Sequence, residues 1–139
     1  MSVRFLHTAD LHLGSQLKTQ HRQATETVDT LNSAIYTAVE RLFDTAIEED
    51  VDFVVIAGDL YDEDSRSVKA NTFLKEQFDR LADRDIPAFV SYGNHDPVGS
   101  ATDYVDLPEN VYEFDHEDPQ EFHYPDEESP AARIWGQSY

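Results

Sequence analysis

The stretch VVIAGDLYDED, residues 54–64, runs from four apolar side chains into a glycine and then into carboxylates. An apolar run of this kind, bounded by a turn signal, is typical of a buried strand. Asp59 follows Gly58 where such a strand must end. Because an unpaired carboxylate at the tip of a hydrophobic strand is costly, the pattern predicts that a metal ion sits there with Asp59 as one of its ligands.

Two further segments resemble this strand, which we place at residues 52–58. Residues 3–9 and 86–93 are also short, apolar and followed by polar side chains. Between the three lie two segments, at about 24–49 and 68–82, whose apolar residues recur at three-to-four spacing, as on the buried face of a helix. The alternation predicts an α/β fold, βαβαβ, with a parallel sheet and right-handed crossovers.

Beyond residue 99 the chain becomes acidic and is interrupted by prolines, which break regular structure. Residues 110–114, 120–124 and 132–136 read as short strands. They predict an antiparallel extension of the sheet or a change of layer, with Trp135 in the core.

The composition bounds the class of protein. The 139 residues suit one domain. With no cysteine, disulfides and thiolate zinc sites are excluded. No apolar run reaches the roughly 18 residues that a membrane span needs, so we expect a soluble, cytoplasmic protein without a membrane partner.

The formal net charge of −19 has two interpretations. Taken alone, it argues against nucleic acid, whose binders usually carry a basic footprint. It also suits a high-salt cytoplasm, where ions screen the repulsion of an acidic surface. We favour the second interpretation, under which net charge says little about the substrate.

Metal-competent residues follow each parallel strand: Asp10 and His12 in TADLH, Asp59 in GDLYD, and Asn94, His95 and Asp96 in GNHD. Ligands bind beyond the carboxyl ends of parallel strands, so these loops should converge. Any one of the side chains alone would more simply be a cap, a turn or a packing residue; their joint order favours metal. The donors suit manganese, iron or zinc, and a bridging Asp59 would serve two ions. His95 would bind the phosphate or donate a proton to the leaving oxygen.

The sequence allows more than one role for several neighbouring residues. Tyr61 and Asp62 either line the crevice or lie on the surface, and His7 in the first strand is expected to be a packing residue. Four basic residues follow the first two motifs, where they would contact a phosphate backbone or simply carry surface charge: Lys18, Arg22, Arg66 and Lys69.

The series D-x-H, G-D and G-N-H-D resembles the calcineurin-like metallophosphoesterase superfamily. The flanks HTADLHLGSQL, VVIAGDLYD and SYGNHDP look like those of SbcD-type DNA double-strand-break repair exonucleases. The resemblance covers about residues 3–98. It implies a β-sandwich flanked by helices in four layers, α/β/β/α, of which this chain would be an incomplete part.

Residue by residue, the resemblance implies two-metal hydrolysis of DNA phosphodiester bonds with Mn²⁺. Asp10 and His12 would bind the first ion, Asp59 would bridge both, and Asn94 would bind the second. His95 would contact the phosphate, oriented by Asp96. The implied partners are DNA ends, a coiled-coil SMC-like ATPase and a second copy of the chain.

The resembled family completes its site with later G-H and G-H-x-H histidines, and His116 and His123 stand in other contexts. We therefore expect residues 1–139 to be the N-terminal portion of a nuclease domain, with weak metal occupancy and little or no activity alone. Two alternatives stay open: a metallophosphatase or phosphodiesterase for a small-molecule or protein substrate, and a non-catalytic binding scaffold.

Overall fold

A computed structural model describes residues 2–15, 25–62, 67–97 and 106–139 of the chain. The elements follow in the order β1 (Phe5–Thr8), α1 (Thr25–Glu48), β2 (Phe53–Ala57), α2 (Val68–Ala82), β3 (Ala88–Ser91), β4 (Val111–Glu113), β5 (Gln120–Tyr124) and β6 (Ala132–Gly136). The βαβαβ alternation predicted from the apolar periodicity is confirmed.

The first four strands form one sheet in the order β1-β2-β3-β4, and every pair in it is parallel. Residues 110–114 were expected in an antiparallel extension or another layer. Instead, β4 is a fourth parallel strand, with Val111 beside Ala88 of β3. A parallel connection needs about a dozen residues or more, and residues 92–110 supply that length. The antiparallel pair is β5 with β6, which forms a separate two-stranded sheet.

The two faces of the parallel sheet bury different cores. On one face, alternate residues such as Val54, Ile56 and Val90 pack with both helices. There Phe43 of α1 meets Phe78 of α2 edge to face, with ring centroids 5.7 Å apart. Apolar burial of this kind stabilises by about 25 cal/mol per Å². The helices therefore form one layer against the sheet.

On the other face, the antiparallel pair supplies a third layer. Phe122 of β5 lies with its ring centroid 5.7 Å from that of Phe89 and 5.0 Å from that of Phe114. Ile134 of β6 packs into the same cluster. The described residues thus build three layers, α/β/β, consistent with a partial metallophosphoesterase fold.

Two packing predictions were wrong. Trp135, expected in the core, is 66% exposed. Successive strand residues point to opposite faces, so Trp135 faces outward because its neighbour Ile134 faces the sheet. His7 of the edge strand β1, expected to be a packing residue, is exposed as well.

Helix α2 begins where its sequence provides a cap. Ser67 adopts extended backbone angles, and its side chain accepts a hydrogen bond from the Ala70 N–H. Such a cap contributes about 1 kcal/mol. After the helices, Asp50 and Asp85 take positive φ values of 49° and 56°, which turn the chain back towards the sheet. In the described ranges, neither helix combines the length and hydropathy that a bilayer span requires.

Candidate metal centre at the carboxyl ends of the strands

Three loops leave β1, β2 and β3 at the same edge of the parallel sheet, and their backbones are bonded to one another. The Asp10 N–H donates to the Gly58 carbonyl at 3.1 Å, and the Gly58 N–H donates to the Ser91 carbonyl at 2.9 Å. Further along, the His12 N–H donates to the Asp59 carbonyl at 3.0 Å. The D-x-H and G-D motifs are therefore held side by side before any ligand is considered.

The backbone at these motifs is strained. Asp10, His12 and Asp59 have φ values of 56°, 46° and 53°, in a region that L side chains seldom occupy. Each such residue costs on the order of 1–3 kcal/mol and persists only where its surroundings enforce it. Gly58, between a strand and Asp59, has φ of 83° and adopts it without that cost. Asp50 and Asp85, after the helices, adopt the same conformation, so these φ values describe the turns that place the three side chains and do not by themselves assign a function.

The side chains of these three strained residues converge. His12 Nε2 lies 3.8 Å from Asp10 Oδ1 and 3.9 Å from Asp59 Oδ2. Asp10 is largely exposed, whereas the Asp59 side chain is only 13% exposed. One ligand atom from each lies within 4.8 Å of the others, which makes the group a candidate cation site.

The donor set fits a divalent ion. Two carboxylates and one imidazole, with no thiolate, suit manganese, iron or zinc in the way the resemblance implies. Two carboxylates held this close repel each other unless a cation or proton lies nearby. The residues present therefore fit a metal ion, which Asp10, His12 and Asp59 would hold.

Gly93 makes room for the Asp59 carboxylate. A Cβ atom on Gly93 would lie 2.1 Å from Asp59 Oδ1, so no other residue leaves the carboxylate where it is. The same Oδ1 accepts a hydrogen bond from the His95 N–H at 3.1 Å. Two residues of the SYGNHD motif thus fix the orientation of Asp59: Gly93 leaves space for the carboxylate, and the His95 N–H donates a hydrogen bond to it.

The His95 ring lies beside the candidate metal ligands and faces Asp62, for which the sequence allowed a place either in the crevice or on the surface. Its ring centroid lies 5.2 Å from that of His12, and its side chain is 45% exposed. His95 Nδ1 lies 3.6 Å from Asp62 Oδ1, and His12 Nδ1 lies 2.8 Å from the same atom. Asp62 therefore lines the crevice. Its position three residues after Asp59, in GDLYD, was the available signal.

The pKa of Asp62 lies below its ordinary value. A hydrogen bond from the Ser15 side chain is the largest cause, opposed by partial burial and reinforced by His12 and His95. Asp62 thus stays a carboxylate at neutral pH.

Asp96 was expected to orient His95, and its hydrogen bonds go elsewhere. Its Oδ2 accepts from the Leu60 and Tyr61 N–H groups at 2.6 and 3.2 Å, and its Oδ1 accepts from the Gly93 N–H at 2.7 Å. Asp96 is 2% exposed, and burial is the main reason that its pKa is raised. In this structure Asp96 ties the second loop to the third, and the carboxylate facing the His95 ring is Asp62.

The remaining predicted site residues are placed less tightly. Asn94 is exposed in the turn after β3, one residue from His95. Lys69, in the first turn of α2, has its Nζ 4.9 Å from the centroid of the Tyr36 ring, a cation–π contact between the helices. Lys18, Arg22 and Arg66 lie outside the described residues.

The chain is similar to known phosphoesterases. The calcineurin-like phosphoesterase family matches residues 3–138. An uncharacterized metallophosphoesterase of Bacillus subtilis, YhaO, is 38% identical over 137 residues, which are 99% of this chain and 34% of YhaO. The DNA double-strand break repair protein Mre11 of Archaeoglobus fulgidus is 35% identical over 97 residues, 68% of this chain and 19% of that protein.

The Mre11 protein of Methanococcus maripaludis is 33% identical over 94 residues, which are 68% of this chain and 23% of that protein. The chain thus spans about a third or less of the length of these relatives. The family match spans all three strand-end motifs, and the family is metal-dependent. The chain belongs to the calcineurin-like phosphoesterase family.

Proposed function

We propose that the chain supplies part of a manganese-dependent phosphodiesterase site of the SbcD type, which hydrolyses DNA from its ends. The observation that carries the proposal is the convergence of Asp10, His12 and Asp59 with the His95 ring beside them. A phosphoesterase needs cationic charge at the phosphate and a proton donor within reach of the leaving oxygen. Both requirements have candidate residues at this one edge of the sheet.

The metal-binding residues have distinct roles in this proposal. When bound, manganese would supply Lewis-acid charge to the phosphate oxygens. Asp10 and His12 would hold one ion. Asp59, which is nearly buried and fixed by the His95 N–H, would bridge to a second ion that Asn94 also binds.

His95 has the exposure that contact with substrate requires. Its ring is nearly half exposed next to the ligand cluster, so it can donate a hydrogen bond to a phosphate oxygen or a proton to the leaving group. Asp96 supports the site indirectly, because its three hydrogen bonds hold the loops that carry Asp59 and His95.

DNA is the substrate that we propose for this site. This substrate is supported by relatives named DNA double-strand break repair protein, among them the two described above at 33–35% identity. DNA ends, a coiled-coil SMC-like ATPase and a second copy of the chain are the partners we propose. Contact with the phosphate backbone is proposed for four basic residues: Lys18, Arg22, Arg66 and Lys69. For Lys69, binding a phosphate would compete with its cation–π contact to the Tyr36 ring.

A phosphatase or phosphodiesterase for a small-molecule or protein substrate is the second candidate. It is favoured by the acidic character of the crevice, where the described side chains around His12 are carboxylates and His95. A polyanion such as DNA is disfavoured by such charge unless ions screen it. The metallophosphoesterase that matches nearly the full chain is uncharacterized, so it adds no weight to either substrate.

The substrate test uses the whole gene product with manganese. We expect nucleotide release from the ends of a labelled duplex, abolished by EDTA and by Asp59→Asn. Absence of nucleotide release together with rapid hydrolysis of p-nitrophenyl phosphate would reject the nuclease and leave the phosphatase. Lys75→Ala, which removes a surface ion pair with Asp79 on α2, is the control and should leave turnover unchanged.

Two further features belong to the proposal. We propose that residues 1–139 are the N-terminal portion of the nuclease domain, because the second ion needs more ligands than Asp59 and Asn94 provide and the relatives are about three times longer. We also propose a high-salt cytoplasm as the setting, since the net charge of −19 is tolerated best where salt screens it.

A further inference from the structure

One carboxylate oxygen of Asp62 lies between two imidazole rings. Asp62 Oδ1 is 2.8 Å from His12 Nδ1, within hydrogen-bond distance, and 3.6 Å from His95 Nδ1, beyond it. The oxygen therefore bonds His12 directly and only faces His95.

The hydrogen bond between Asp62 and His12 determines which ring nitrogen of His12 carries hydrogen. An ionised carboxylate only accepts hydrogen bonds, so the His12 nitrogen that bonds it must carry hydrogen. A neutral imidazole has one N–H, which leaves Nε2 with a lone pair. His12 Nε2 is the atom that lies 3.8 Å from Asp10 and 3.9 Å from Asp59. In the neutral ring, the nitrogen without hydrogen thus faces the candidate metal position.

We propose that Asp62 is a positioning residue for His12. Its carboxylate keeps the imidazole proton on Nδ1 and holds the ring plane, so that Nε2 presents its lone pair to the space shared with Asp10 and Asp59. The consequence for metal affinity rests on the proposed function, whereas the tautomer is a property of the metal-free chain. Carboxylates that fix metal-binding histidines in this way raise metal affinity about 10–100-fold.

Asp62 is itself held in place from both sides. The Ser15 side chain hydrogen-bonds to its carboxylate. The residue before it, Tyr61, donates its N–H to Asp96 and lies in a parallel bridge with Leu13. Leu13 directly follows His12 and is fully buried, so the segments that carry the two partners are fixed to each other. The hydrogen bond between Asp62 and His12 is therefore supported by contacts of the surrounding backbone and side chains.

The tautomer can be read directly. Long-range ¹H–¹⁵N correlation spectra of the metal-free chain at about pH 8, above the ordinary histidine pKa of about 6.5, separate the two neutral forms of each ring. We expect wild-type His12 in the Nδ1–H form, and Asp62→Ala to shift it towards the Nε2–H form. An Nε2–H form in the wild-type chain overturns the proposal without any variant. So does a variant in which only the His95 tautomer changes.

The second measurement is the manganese affinity of the whole gene product, determined by calorimetry. Asp62→Ala should weaken binding about 10–100-fold. The matched control is Asp115→Ala, which removes another carboxylate 2.9 Å from a histidine Nδ1, that of His116 on the surface, and should leave affinity unchanged. Equal affinity for wild type and Asp62→Ala overturns the role in metal binding. If neither protein bound manganese, the metal function itself would fail, while the spectra would still decide the tautomer.

Discussion

Replacing Gly93 by alanine should damage the candidate metal site more selectively than it damages the fold. The added Cβ would lie 2.1 Å from Asp59 Oδ1 and 2.8 Å from both the Cγ and the backbone nitrogen of Asp59. Rotation of the carboxylate alone cannot relieve a clash that includes the backbone. Asp59 must move as a whole, and with it the Oδ1 atom that accepts the His95 N–H.

The magnitude follows from the size of the clash. Overpacking of a closely packed position costs about 1–3 kcal/mol, which lowers the melting temperature by about 3–12 °C for a domain of this size. Moving Asp59 removes a metal ligand, so manganese affinity should fall at least tenfold, or by about 1.4 kcal/mol. Thermal unfolding and calorimetric titration with manganese measure the two effects on the same sample.

Gly136→Ala is the matched control. Its Cβ would meet the Phe114 ring at 2.7 Å, and its three nearest atoms all belong to Phe114, in the core between the two sheets. It should cost similar stability and leave manganese affinity unchanged. Manganese binding by Gly93→Ala as tight as that of wild type, or an equal loss of affinity in both variants, would exclude this role for Gly93.

Three further outcomes are expected. His95→Ala should keep manganese affinity nearly intact while removing activity of the whole gene product; a large loss of affinity would show that His95 binds the metal. The melting temperature should rise from 0.1 to 2 M KCl, whereas no change would count against adaptation to salt. Burial raises the pKa of Asp96 above 3.8, so its protonated form stabilises the fold below that pH, and this contribution is lost as pH rises through the raised pKa. Urea unfolding of the metal-free chain should therefore show wild type losing stability relative to Asp96→Asn over that rise; parallel pH profiles would contradict it.

The order of elements was predictable because apolar spacing is a local property. Helix α2 lies at the predicted residues 68–82, and α1 at Thr25–Glu48 is one residue shorter at each end than predicted. The direction of β4 was not predictable, since strand pairing depends on the path of a long connection. Trp135 was misplaced for a similar reason: in a strand of mixed residues, only the partner layer decides which face is inside.

At the site, the residue types could be read from the motifs, whereas their hydrogen-bond partners could not. Parallel strands bring Asp10, His12 and Asp59 together whatever their rotamers, so the ligand cluster could be anticipated. Hydrogen-bond partners depend on loop geometry within tenths of an ångström. The bonds of Asp96 to backbone and of Asp62 to His12 therefore emerged only with the coordinates.

One dication should bind between the first two strand-end loops. Crystals grown with manganese and measured at the manganese absorption edge would locate it. We expect an anomalous peak within coordinating distance of Asp10, His12 and Asp59. A peak bound elsewhere, or none at all with the carboxylates of Asp10 and Asp59 turned into separate pockets, would contradict it.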